Sequence, residues 1–162
     1  MRDFGRRIDR IVLHCTASRL DATVEDILYF WRVIKGWKNP GYHYLIDQYG
    51  RRHILQHLSK PTNGVKGYNW NSVHISYIGG RHGVDNRTRA QKTAMEQLLL
   101  ELCSDSILGP LPIMGHRDLS PDADGNGIIT PDEWTKLCPS FDVNEWLHSI
   151  DFYEKLSQNE AT

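Results

Sequence analysis

Apolar runs separated by polar turns predict alternating strands and helices along this chain. RIVLHCTAS, SVHISYIGG and LPIMGHRD are short, apolar and bounded by polar or glycine residues, which is typical of buried strands. GYHYLID and RRHILQHL, joined around Gly50, predict a hairpin. Apolar positions recur at helical spacing in TVEDILYFWRVIKG, TRAQKTAMEQLLLELC and CPSFDVNEWLHSI. This alternation predicts one α/β domain in which helices cover a sheet.

The helix boundaries are predicted by capping residues. Thr23 can cap a first helix that ends at Gly36 and buries Ile27, Trp31 and Ile34. A second helix opens with Thr88 and Gln91 as a capping box, and a last helix begins at Asp142. We expect the polar residues from about Ser157 onward to be frayed.

Composition narrows the class of protein. The chain has 162 residues, enough for one domain, and its 19 Lys and Arg balance 20 Asp and Glu. No strong net charge favours nucleic acid or an anionic membrane as a partner. The first residues carry no uninterrupted apolar stretch, so we expect synthesis in the cytoplasm without a signal peptide. Three cysteines cannot form a closed disulfide framework, which predicts reduced thiols or metal ligation.

Three potential metal ligands stand at the ends of predicted elements. His14 lies near the end of the first strand, His116 follows the last strand, and Cys138 precedes the last helix. Alternation along the first strand places His14 on the face opposite Leu13 and Cys15. A catalytic zinc site uses three protein ligands and leaves one position for water. Spacing alone does not select these three residues, because a lone histidine at a strand end is more often only hydrogen-bonded.

A second metal pattern lies between His116 and Cys138. The stretch DADGNGIITPDE, residues 122–133, follows the order of oxygen donors in an EF-hand calcium loop, with Gly127 at the required bend. The predicted calcium ligands, one through its backbone carbonyl, are Asp122, Asp124, Asn126, Ile128, Thr130 and Glu133. The alternative is a polar Asp/Gly turn that binds no ion.

The order of several short motifs resembles one enzyme family. IVLHCTAS, GYHYLI, VKGYNWNS, YIGG, GHRD and KLCPSFD are similar to segments of the zinc-dependent N-acetylmuramoyl-L-alanine amidases, a family that includes phage T7 lysozyme and the peptidoglycan recognition proteins. The resemblance implies a mixed central sheet flanked by helices. It also implies that His14, His116 and Cys138 bind zinc, and that Tyr42 and Lys136 are catalytic.

The resemblance further implies the reaction and its partner. Such enzymes hydrolyse the amide between the lactyl group of N-acetylmuramic acid and the L-alanine of the stem peptide. We therefore expect bacterial peptidoglycan as the substrate of a monomeric enzyme that reaches the wall after release or by non-classical export. A phage endolysin, a secreted effector and a wall-recycling enzyme all fit. Without the resemblance, Tyr42 would be interpreted as a core aromatic residue and Lys136 as a solvated lysine.

The chain departs from the family pattern in two places. Gly64 stands where relatives of T7 lysozyme often have a histidine, and His74 stands where glycine is common. The connection from His116 to Cys138 is longer than in compact relatives, and the calcium-like loop occupies the added length. Lys136 follows that loop closely, so the hypothesis is one amidase domain over 1–162 in which calcium at 122–133 stabilises the active-site wall.

Two other classes of protein compete with the enzyme. Peptidoglycan recognition proteins that bind without cleaving usually lack the cysteine ligand, whereas Cys138 is present here. A calcium sensor of the EF-hand type needs paired loops with helices on both sides. The sequence GHRDLSP before Asp122 does not predict a helix, and no second loop of this kind occurs.

Overall fold

A computed structural model describes residues 4–160, and its centre is a mixed five-stranded sheet. The spatial order is β3-β2-β4-β1-β5, in which only the β2–β3 pair is antiparallel. The strands are β1 (Arg10–Cys15), β2 (Tyr44–Ile46), β3 (Arg52–Ile54), β4 (Ser72–Tyr77) and β5 (Ile113–Gly115). The predicted α/β domain, its mixed sheet and its hairpin are confirmed.

The central strands are buried on both faces, as expected for parallel strands covered by other elements. Every residue of β4 is buried, and in β1 only Arg10 is partly exposed. Odd-numbered positions of β1, such as Leu13, pack into the larger of two apolar clusters. His14 therefore points to the opposite face, as predicted.

Three helices cover the face that carries Leu13. They are α2 (Arg89–Cys103), α3 (Val143–Ser149) and α4 (Phe152–Glu160), and their buried side chains join the larger cluster. The predicted capping box of α2 is present, since Thr88 and Gln91 exchange side-chain to backbone hydrogen bonds of 2.9 and 3.0 Å. The Asp142 side chain caps α3 by accepting from the Glu145 backbone N–H at 2.8 Å.

The C-terminal segment up to Glu160 is more regular than the sequence predicts. Residues 158–160 continue α4 past Ser157, and the last two residues lie outside the described part of the chain. Phe152 and Leu156 lie one helical turn apart and are both buried, which gives the helix an apolar stripe against the core. Asp151 adopts a left-handed backbone with φ of 53° and separates α3 from α4. The last helix of the prediction is therefore followed by another.

The first helix covers part of the other face and changes its winding. Thr23 caps α1 (Val24–Tyr29), and the chain continues as a π-helical turn over Phe30–Ile34. Ile27 and Trp31 are buried as predicted, but Ile34 is 62% exposed, so its core assignment was wrong. The Lys35 N–H bonds the Phe30 carbonyl five residues back, and this wider turn rotates the following side chains away from the face that a regular α-helix would bury.

Cysteine pairing and membrane insertion can be judged over the same residues. All three cysteines are free thiols, as predicted. Between residues 4 and 160, no helix has both the length and the apolar character that a membrane crossing requires.

Candidate active site

Three side chains that could hold a metal ion meet at the carboxyl edge of the parallel strands. His14 belongs to β1, His116 follows β5 directly, and Cys138 comes from the segment before α3. Their ligand atoms all lie within 4.8 Å of one another. Because the carboxyl ends of neighbouring parallel strands share one edge, β1 and β5 bring the two histidines together. The structure thus assembles the three residues that the sequence analysis selected.

Hydrogen bonds from two strand ends hold the Cys138 segment in place. The Arg117 backbone N–H donates to the Cys138 carbonyl at 2.9 Å, and the Tyr77 hydroxyl donates to the Pro139 carbonyl at 2.9 Å. A Cβ atom at Gly115 would lie only 2.7 Å from Pro139 Cδ, so glycine permits the close approach. The position of Cys138 is therefore set by β4 and β5 although it lies far along the chain.

The geometry of these donors fits a tetrahedral metal ion. His14 Nδ1 lies 3.6 Å from Cys138 Sγ. Zinc–ligand bonds of about 2.0–2.3 Å at tetrahedral angles separate donor atoms by roughly 3.5 Å. The Cys15 backbone N–H donates to Cys138 Sγ at 3.2 Å, which favours negative charge on the sulfur. Two imidazoles and a thiolate form a ligand set that suits zinc.

Burial controls the charge of the three side chains. It lowers the pKa of His14 well below the usual value, with a further contribution from the nearby His74 and His116. Burial and the Lys136 charge lower the pKa of His116 to about 4, whereas burial raises the pKa of the Cys138 thiol. The imidazoles therefore keep free lone pairs at neutral pH, and a metal must displace the thiol proton. Metal affinity should accordingly rise with pH.

Tyr42 and Lys136 both line the cleft that contains the three donors. The cleft has a volume of about 910 Å³ and aromatic walls that include Trp31 and Trp37. The Tyr42 ring lies 4.9 Å from the His14 ring, and its hydroxyl donates to the Cys15 carbonyl at 3.2 Å. Burial raises the pKa of Tyr42, so the hydroxyl remains protonated. Lys136 is exposed and adds positive charge beside His116.

The predicted calcium ligands form a compact exposed turn. The carboxylates of Asp122, Asp124 and Glu133 lie within 4.8 Å of one another. The Asp122 carboxylate accepts backbone N–H groups of the loop, including that of Gly127 at 2.7 Å. Other bonds join Asn126 Oδ1 to the Ile128 N–H at 2.8 Å and Glu133 Oε2 to the Thr130 N–H at 2.8 Å. A closed polar turn and a cation loop both have this form, so calcium binding stays a prediction.

Two buried histidines next to the site were not assigned by the sequence analysis. The His43 ring stacks on that of His74, with ring centroids 6.2 Å apart. His74 in turn lies 2.8 Å from His14. His43 immediately precedes β2 and His74 lies in β4. Both occupy alternate positions that share a face with His14, and this shared face is the signal that could have identified them.

Comparisons with known proteins identify the family of this chain. A family model for N-acetylmuramoyl-L-alanine amidases matches residues 4–139. An endolysin of Klebsiella phage KP32 is 32% identical over 143 residues, which cover 85% of this chain and 83% of the relative. This chain therefore belongs to the N-acetylmuramoyl-L-alanine amidase family.

Solved structures share the same fold. The N-acetylmuramoyl-L-alanine amidase LysC from Clostridium intestinale matches with a TM-score of 0.67 and 19% identity, covering 92% of this chain and 89% of that one. Apis mellifera PGRP-SA matches with a TM-score of 0.66 and 20% identity, covering 87% and 81%. At these identities the similarity shows the fold alone.

The buried His43 predicts a loss of stability in acid. Burial lowers the pKa of His43 to about 4, below the value near 6.5 of an unfolded chain, so the unfolded state binds more protons below pH 6.5. The stability that neutral His43 contributes is complete above pH 6.5 and decreases by roughly 3 kcal/mol as the pH falls to 4. Urea unfolding of metal-free protein between pH 4 and 7 measures this slope.

A matched pair of variants isolates the contribution of that residue. His43→Phe should show a shallower pH dependence than the parent, because the group that titrates is gone. His148→Phe, which alters an exposed histidine, should keep the parental slope. Equal slopes for His43→Phe and the parent would contradict the assignment.

Proposed function

We propose that this protein is a zinc-dependent peptidoglycan amidase that hydrolyses the bond between N-acetylmuramic acid and the L-alanine of the stem peptide. The observation that carries the proposal is the convergence of His14, His116 and Cys138 in a cleft shared with Tyr42 and Lys136. Membership of the amidase family supports the same reaction. The substrate is then a glycan peptide, for which a cleft with aromatic walls and lysines offers apolar and ionic contacts.

The protein's own residues divide the chemistry among them. Bound zinc would supply a water with a pKa near 7, which is a nucleophile at neutral pH. Lys136 places a cation at the cleft, where negative charge develops on the amide oxygen. Tyr42 keeps its proton and can donate it in a hydrogen bond to the same oxygen, while the Cys15 carbonyl orients its hydroxyl in the absence of substrate. His14 and His116 remain neutral and hold their lone pairs toward the cleft.

Mass spectrometry of digested cell walls tests the bond that is cleaved. The parent protein should release intact stem peptides that begin with L-alanine. Cys138→Ala should abolish this release while the fold persists, because a metal ligand is lost. Cys103→Ala also removes a buried thiol, but from α2 on the other side of the sheet, and should retain cleavage. Cleavage by Cys138→Ala at the parental rate, or release of glycan fragments only, would refute the proposal.

Kinetics of two further variants test the catalytic roles. Lys136→Met should lower kcat about 10²–10³-fold, because it removes charge stabilisation of the oxyanion. Tyr42→Phe should lower it about tenfold or more, since only the hydroxyl is lost. Lys92→Met removes an exposed lysine of α2 and serves as the control with parental kcat. Zinc content is measured alongside, and a parental kcat in zinc-loaded Lys136→Met would exclude the lysine from catalysis.

A non-catalytic binding module is the second candidate. The fold shared with a human peptidoglycan recognition protein solved in complex with a muramyl pentapeptide favours it, and the chain's Cys138 weighs against it. The two candidates differ in one result: a binding module retains walls in a pull-down without releasing peptides, and zinc does not change this.

The proposal extends to the loop at 122–133 as a calcium-binding brace within a single amidase domain over 1–162. Its support is the set of three converging carboxylates and the short distance in sequence from Glu133 to Lys136. Clustered carboxylates repel one another, so a cation that bridges them would order the segment that carries Lys136 and Cys138. Calcium would then act on stability and leave the chemistry to the zinc site.

Calorimetry of zinc-loaded protein tests the brace. Calcium in large excess over its Kd should raise Tm, because a ligand at 100 times its Kd stabilises by about 2.7 kcal/mol. Its selective removal should lower both Tm and hydrolysis. Asp122→Ala should abolish the response, whereas Asp132→Ala, an exposed acid of the same loop outside the donor positions, should keep it. If calcium changes neither the Tm nor the activity of the parent, the loop is a polar turn that binds no ion.

A further inference from the structure

Behind the candidate metal site, a buried chain of hydrogen bonds leads away from His14. His14 Nε2 lies 2.8 Å from His74 Nδ1, and His74 Nε2 lies 2.9 Å from Asn69 Oδ1. His14 is 1% exposed and His74 is completely buried. The cysteine ligand contacts the other nitrogen of His14, Nδ1, at 3.6 Å. Each nitrogen of His14 therefore has a separate task.

We propose that His74 and Asn69 are positioning residues that hold His14 in the tautomer whose Nδ1 lone pair faces the metal site. The inference rests on the proposed metal site, and it deepens that site by naming its supporting shell. Neither residue lies within the set of three donors, and neither was assigned a role by its position in the sequence.

One backbone donor determines which atom donates and which accepts in each hydrogen bond from His14 through His74 to Asn69. The Val65 backbone N–H donates to Asn69 Oδ1 at 2.8 Å, which identifies that atom as the amide oxygen. An oxygen accepts, so the proton between Asn69 and His74 is carried by His74 Nε2. In a neutral imidazole the other nitrogen, Nδ1, is then an acceptor, and His14 Nε2 must donate to it. His14 Nδ1 is left with its lone pair directed toward Cys138.

Space for the His74 ring is provided by Gly64. A Cβ atom at Gly64 would lie 2.4 Å from both Cγ and Nδ1 of His74, a distance that no side chain tolerates. The two departures from the family pattern are therefore linked through space in this chain. A side chain is absent from the loop at position 64, and an imidazole from β4 at position 74 occupies the space beside His14.

The His74 ring is also held in place by the neighbouring His43. The His74 backbone N–H donates to His43 Nδ1 at 3.0 Å, and His43 Nε2 contacts the Lys60 carbonyl at 2.8 Å. The His43 ring stacks nearly parallel to that of His74, at 11°. The ring that orients His14 is thus packed and bonded on several sides, as a positioning group must be.

Zinc affinity, measured by competition with a chromophoric chelator, tests whether His74 and Asn69 position His14, and it does not depend on hydrolysis. His74→Phe keeps a ring of similar size but removes the acceptor, and should raise the Kd for zinc 10–100-fold. Asn69→Leu should raise it about tenfold, whereas Asn69→Asp, which preserves the oxygen acceptor, should stay within about threefold of the parent. Parental affinity in both His74→Phe and Asn69→Leu would overturn the proposal.

Nuclear magnetic resonance of the metal-free parent gives a decision that needs no variant to fold. Two-bond proton–nitrogen correlations distinguish the two neutral histidine tautomers. His14 and His74 should each carry the proton on Nε2. A proton on Nδ1 of either ring would contradict the proposed positioning of His14 by His74 and Asn69. Because this measurement ignores substrate, a protein that shows these tautomers but cleaves no wall would refute the amidase proposal alone.

A double-mutant cycle tests whether positions 64 and 74 are coupled through space. Gly64→Ala should weaken zinc binding at least tenfold in the parent, because the added methyl displaces the His74 ring. In a His74→Gly background the space is open, and the same change should alter the Kd by less than about threefold. An equal effect of Gly64→Ala in both backgrounds would show that position 64 acts independently of His74.

Discussion

The parallel pairing of β1 with β4 on one side and β5 on the other is the constraint on which the site depends. Register places His14 beside Ser76 of β4 and leaves His116 just beyond the end of β5. The alternation of side chains then separates two tasks within one strand. Leu13 and Cys15 join the core that α2, α3 and α4 enclose, while His14 turns toward the cleft. A slip of one residue in this register would exchange the core and the site.

A second consequence of this arrangement is that the candidate site is buried on one side and open to solvent on the other. The face of β4 that bears His74 is closed by stacked imidazoles and by the turn around Asn69. The front is the cleft, where Lys136 is exposed. Low dielectric behind the donors strengthens hydrogen bonds that orient them, and solvent access in front permits exchange of water and product. The same sheet edge therefore serves rigidity and access together.

Most of the fold could be predicted, because its elements carry strong periodicity and clear caps. The hairpin, the strand that ends near His14 and the capping box at Thr88 are local signals. Ile34 was misassigned because a π-helical turn changes the period midway through a helix, which a fixed spacing cannot show. The helix at the C-terminus was missed because only Phe152 and Leu156 mark it within a polar segment.

The candidate site divides in the same way. The three potential metal ligands could be selected because short motifs surround them, and the structure brings them together. The role of His74 could not be read from the sequence, because it depends on which ring nitrogen meets which neighbour in three dimensions. Its link to Gly64 is equally spatial, since the two residues are joined by an overlap of volumes and by no pattern along the chain.

Two hydrogen bonds at the base of the inserted loop determine how the length of that loop can change. The Arg117 N–H to Cys138 carbonyl bond and the Thr135 N–H to Ser120 Oγ bond of 3.1 Å close the two ends of the excursion against each other. Most residues between 121 and 134 are exposed outside these two bonds. Because these two bonds lie outside the loop, a change of its length would leave the strand ends in register. A new binding element could therefore be added beside the cleft at this point, provided that it keeps the segment with Lys136 as ordered as the proposed calcium loop does.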